Sequence, residues 1–165
     1  MKIISAIVCS SLCLLSVVAN SADNTETASM HVSLEVVKSC TLNANDLNFS
    51  RHGSDETVEI KASTQVEIIC TNGTPFTLFA ASRDASENGT FWLKPENNEA
   101  GIKNIAWKLY ADEGKKSQIT SIQGLTDTGT GSKQIENLYG FIDSGALTTA
   151  QAGTYADDVT LNLVY

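Results

Sequence analysis

From Met30 onward, apolar residues recur at every second position in short runs. In "MHVSLEVVKSC", Met30, Val32, Leu34 and Val36 fall on one side, with His31, Ser33 and Glu35 on the other. That is the period of a half-buried strand. The same period returns in "TVEI" (Val58, Ile60), in "STQVEIIC" (Val66, Ile68, Cys70) and in "PFTLFA" (Phe76, Leu78, Ala80). It appears again in "IAWKLYAD" (Ile105, Trp107, Leu109) and in "VTLNLVY", where Val159, Leu161, Leu163 and Tyr165 share a face. Turn signals separate these runs: Asn72-Gly73, Asn88-Gly89, Glu113-Gly114 and the Gly/Thr-rich "GLTDTGTGSK". Asn-Gly suits the positive φ angles of tight hairpin turns. No long window carries a helical period; "ENNEAGIKNIA" comes nearest, and Gly101 weakens it. Short strands punctuated every 8–12 residues or so predict an all-β sandwich or barrel. No repeat or linker divides the chain.

The first twenty-two residues stand apart from this pattern. Met1-Lys2 is a short positive start, "IISAIVCSSLCLLSVV" an apolar run, and "ANSA" a small-residue exit. This predicts a secretory signal peptide over residues 1–22, cleaved near 19–22 by either the Ala19/Ser21 or the Val17/Ala19 pair. It is too short, and too soon polar, for a membrane anchor. Cys9 and Cys13 lie inside the apolar run without a lipobox, so lipidation is not expected. No later apolar run is long enough for a membrane span. Cleavage removes Lys2 and leaves ten basic against nineteen acidic residues. An acidic surface of that kind argues against nucleic acid and against anionic membranes, both of which need basic patches.

The exported part keeps two cysteines, Cys40 and Cys70. In an oxidising compartment they point to one intramolecular disulfide. The alternative, a zinc site, requires His31 and His52 to converge on both thiolates, and no CxxC or HxxxH spacing supports it. Catalytic chemistry finds no foothold. "TGTGSK" (128–133) is the nearest approach to a phosphate loop, but it lacks the GKS/GKT ending and reads as a flexible surface loop. Asp157 and Asp158 are adjacent, so on a strand their carboxylates diverge; solvated turn residues are the expectation. Neither histidine neighbours a nucleophile elbow, and the surroundings of Asp127 fit no calcium loop. The sequons at Asn48, Asn72 and Asn88 include two N-G-T turns that hairpin chemistry explains without glycosylation.

Five blocks in order, "VVKSCTLNANDLNF", "IICTNGTPFTL", "IAWKLYAD", "LYGFI" and "AGTYADDVTLNLVY", resemble the spore coat protein U domain. This is the family of Csu-type fimbrial subunits of archaic chaperone–usher pili, and the resemblance spans roughly residues 30–165. One departure is the segment "EGKKSQITSIQG", where the family often has a Trp-Gly pair.

The resemblance implies an immunoglobulin-like β-sandwich that lacks one strand. Residues 23–37 would form an N-terminal extension carrying a donor strand (Met30, Val32, Leu34, Val36), and residues 38–165 the pilin domain. The C-terminal strand (Val159, Leu161, Leu163, Tyr165) would border the open groove, and the family disulfide maps onto Cys40 and Cys70. It further implies a non-enzymatic structural subunit without cofactor, exported to the periplasm and then to the cell surface. Its partners would be a periplasmic chaperone, an outer-membrane usher and neighbouring pilin subunits in a homo- or heteropolymer serving adhesion and biofilm formation. A single domain with an N-terminal extension suits a shaft or adaptor subunit. One alternative is that 30–36 is simply the domain's own first strand; another is that the donor and that first strand overlap within 30–40. Two other readings stay open. One is a free secreted sandwich binding a glycan through exposed Phe91 and Trp92 in "NGTFWLKP"; the other is a coat component.

Overall fold

The computed structural model describes residues 24–86, 88–97 and 101–165. The expected signal peptide lies outside the described residues. The chain divides into two units, residues 1–35 and residues 36–165. Within the first, residues 24–35 carry no regular secondary structure.

The second unit is the expected all-β sandwich, with no helix among the described residues. Its strands are β1 (Cys40–Ala44), β2 (Ile60–Cys70), β3 (Pro75–Ser82), β4 (Phe91–Pro95), β5 (Ile105–Tyr110), β6 (Leu125–Thr128), β7 (Gln134–Ile142), β8 (Tyr155–Ala156) and β9 (Val159–Val164). Every pairing is antiparallel. Six strands form one sheet in the order β1-β2-β7-β5-β4-β8, and three form the other, β6-β3-β9.

Alternation places the core where the period predicts it. Val66, Ile68 and Cys70 on β2, Phe76, Leu78 and Ala80 on β3, and Ile105, Trp107 and Leu109 on β5 are all buried in one cluster. Phe91 packs on Trp107 with ring centroids 4.9 Å apart, and Phe49 meets the same ring edge-on at 5.8 Å. Burial of side chains this size contributes about 1.5–3 kcal/mol each, so the seam between the sheets is the main source of stability.

The structure departs from the sequence pattern at several points. Val58 is 61% exposed and precedes β2, which starts at Ile60. The Gly/Thr-rich stretch is not a plain loop, because Leu125–Thr128 forms the edge strand β6 against β3. Its turn residues do their expected work: Gly129 accepts the Gly73 N–H at 2.8 Å and donates to the Thr74 carbonyl at 2.7 Å. In the 112–117 turn the left-handed residue is Lys115 (φ 57°), not Gly114. The Asp112 carboxylate holds that turn by accepting the Lys116 and Ser117 N–H groups at 3.0 and 2.7 Å. The divergent segment that follows supplies Ile119, fully buried, between the sheets. Its N–H reaches the Leu109 carbonyl, while the Thr120 carbonyl accepts from Ala80.

Candidate functional site: two open strand edges and an exposed apolar segment

β9 ends the smaller sheet. It pairs with β3 from Ser82↔Val159 to Thr77↔Val164, and its other edge has no partner strand among the described residues. Its inward side chains, Val159, Leu161 and Leu163, pack against the core yet remain only half-buried. Core strands β2 and β3, by contrast, bury their inward residues almost completely. Tyr165 does not join this row. It lies beyond the last paired residue and is 55% exposed, because the ladder with β3 stops at Val164.

β1 ends the larger sheet and is likewise paired on one side only. Cys40 and Leu42 point inward and are half-buried against the same core. An unpaired edge exposes a row of backbone donors and acceptors, a template for another strand. Both edges thus combine unpaired backbone with half-buried apolar side chains.

Cys40 and Cys70 stand opposite one another in the β1–β2 register and are joined as a disulfide. The link closes a loop with a sequence separation of 30, worth about 3.6 kcal/mol in the chain-entropy model. His52 is engaged elsewhere: its Nε2–H donates to the Phe49 carbonyl at 2.6 Å, and its Nδ1 lies 3.4 Å from the Glu56 carboxylate. The zinc arrangement considered from the sequence is therefore not assembled, since both sulfurs are used in the disulfide.

The segment Met30–Val36 forms no strand. Met30, Val32, Leu34 and Val36 are 84, 81, 89 and 73% exposed. Four alternating apolar side chains are thus left open to solvent.

The aromatic pair considered for a glycan separates. Phe91 is fully buried, so it is core and not a platform, while half-buried Trp92 borders a shallow depression beside Asp84 and Lys94. The reason is the strand itself: successive residues of β4 face opposite ways.

Sequence reasoning also missed Asp157. It is not a solvated turn residue. It accepts the Ser82 hydroxyl at 2.8 Å and the Trp107 indole N–H at 2.9 Å, tying β3 to β5. Nothing in an Asp-Asp pair signals which of the two turns inward. A nearby tyrosine adds a second tie: the Tyr155 hydroxyl donates to the Gln151 carbonyl at 2.9 Å, in the manner of the tyrosine corner of immunoglobulin-type sandwiches.

Comparison with known proteins places this architecture. A fold likeness covers 79% of the chain in the crystal structure of the chaperone–tip adhesion subunit pre-assembly complex from archaic chaperone–usher Csu pili of Acinetobacter baumannii (TM-score 0.50, 19% identity, 40% of that chain). A chaperone–tip adhesin complex of CFA/I fimbriae biogenesis matches over 75% of the chain and 40% of its own (TM-score 0.49, 17% identity). The E. coli Hda pilus minor tip subunit matches over 76% of the chain and 79% of its own (TM-score 0.41, 19% identity). The chain thus spans 40% of the length of the first two of these structures. No curated protein matches it by sequence. The family model of the Spore Coat Protein U domain matches residues 26–162, and with that match over most of its length the chain belongs to the Spore Coat Protein U domain family.

Proposed function

We propose that this chain is a structural subunit of a surface fibre built by the chaperone–usher pathway, joined to its neighbours by strand donation. In this reading Met30–Val36 of one copy enters the sandwich of the next along the free edge of β9. A periplasmic chaperone occupies that edge beforehand, and an usher exchanges one for the other. The fibre then serves attachment and biofilm growth.

One observation carries the proposal. The same chain has a strand edge lined by half-buried Val159, Leu161 and Leu163 and, elsewhere, a segment of matching period whose apolar residues are exposed. Strand addition uses backbone bonds for affinity and alternate side chains for specificity. Burying four such side chains contributes roughly 6–12 kcal/mol at about 1.5–3 kcal/mol each, before the costs of ordering. That is enough for a long-lived joint.

The test is to express the mature chain with and without residues 23–36. The intact chain is expected to form SDS-resistant ladders that collapse on heating, and the truncated one to form none. Val32→Asp or Leu34→Asp should abolish the ladders while leaving the chaperone-bound subunit intact. A full-length protein that stays monomeric and forms no ladders even when concentrated would sink the proposal. Equal loss of ladder and subunit in the Asp variants would show that the segment belongs to the subunit's own core.

A further inference from the structure

The chain leaves the sandwich through a short knot. Cys40 is the first residue of β1, and its disulfide reaches Cys70, the last residue of β2. One residue on, the Thr71 N–H donates to the Ser39 carbonyl at 2.9 Å. The Thr71 hydroxyl accepts the Ser39 N–H at 3.1 Å and donates to the Val37 carbonyl at 3.2 Å. Val36, the next residue out, is 73% exposed. Any pull on residues 30–36 therefore enters the fold here.

What lies behind the knot decides its effect. β1 is a five-residue edge strand with one partner. After it comes residues 45–59, which hold no strand. Without a covalent link, tension on the N-terminal segment would strip β1 from β2 and draw out 45–59 before the load reached Ile60. With the link, the same tension passes from Cys40 straight to Cys70. That residue ends an eleven-residue strand flanked by β1 on one side and, through Ile60↔Ile142 to Ile68↔Gln134, by β7 on the other.

We propose that the Cys40–Cys70 disulfide, seconded by Thr71, is a tension anchor: it carries force from the N-terminal segment into β2 at the centre of the larger sheet and leaves residues 41–59 unloaded. Its purpose rests on the fibre reading above, where a neighbour grips that segment. The mechanics belong to one chain and are tested on one.

The experiment is single-molecule stretching of the full chain between handles at Asn24 and Ser144, an exposed residue after β7. The oxidised chain should show one main rupture with no earlier lengthening. The Cys40→Ser/Cys70→Ser double variant should show an early step of about 7 nm as residues 40–59 are drawn out, and a total contour length greater by about 10 nm, at about 3.6 Å per residue. If that variant does not fold, wild-type protein treated with a thiol reductant after folding is the second arm, with the same steps expected. An early step that is absent in the reduced or variant chain, with unchanged rupture force, would overturn the anchor and leave the fibre reading standing. Failure to form ladders would do the reverse.

Discussion

Asp157 joins two sheets with one carboxylate, and its neighbour Asp158 is exposed. Removing the first leaves a buried indole N–H and a hydroxyl without an acceptor, which costs about 1–3 kcal/mol. Asp157→Ala should lower the urea midpoint accordingly, while Asp158→Ala should stay within about 0.5 kcal/mol. Near-equal effects would mean that the pairing contributes nothing. Glu136 is the opposite case. It lies on the inward row of β7, opposite Val66. Burial, reinforced by the Asp127 charge, pushes its carboxyl above the usual carboxylate range. The folded state therefore binds this proton more readily than the unfolded chain. The associated stability is full below the ordinary carboxylate pKa and is lost as pH rises through the raised one. Glu136→Gln should flatten that fall, read from urea midpoints across the mildly acidic range; an unchanged pH profile would refute the assignment.

Among the elements, those with strict alternation of large apolar residues were legible in the sequence: β2, β3 and β5 bury the residues the period selects. β6 was not legible, because it offers one apolar residue, Leu125, among Gly and Thr, and only the neighbouring edge of β3 makes it a strand. The segment 30–36 has the better strand pattern and forms none, since a strand needs a partner edge as well as a period. The candidate edge was half legible. Periodicity found Val159, Leu161 and Leu163, but their incomplete burial is a property of sheet order, which no local pattern carries. That incompleteness yields a prediction. Leu161→Ala should cost little in the unassembled subunit, where the side chain is half-buried. In the assembled joint it should approach the 2–5 kcal/mol or so of a core Leu→Ala change. The temperature at which SDS-resistant ladders collapse should thus fall more than the melting temperature of the unassembled chain lacking residues 23–36; parallel losses would count against strand addition at β9.

For the whole molecule, charge is the remaining lever. Residues 23–165 carry nineteen acidic residues against ten basic ones. Several of the lysines are already paired at the surface, Lys61 with Glu113, Lys115 with Glu59 and Lys133 with Glu67. Two copies therefore approach as like-charged bodies, and salt screens repulsion of this kind beyond about 10 Å at 0.1 M. Assembly should speed up from low to moderate ionic strength, as measured by the rate of ladder growth. A rate that falls with salt would instead point to steering by opposite charges.

The bonds of Asp157 have a last consequence for this picture. The chain changes sheets between β8 and β9, and Asp157 sits at that crossing, fastened to Ser82 of one sheet and Trp107 of the other. β9 is thus moored to the larger sheet before any partner arrives. Under the proposed strand donation, an opening whose gauge is set in advance behaves as a template and not as a glove: it would admit a strand by the bulk of its side chains, and a guest too large would have to break the mooring to enter.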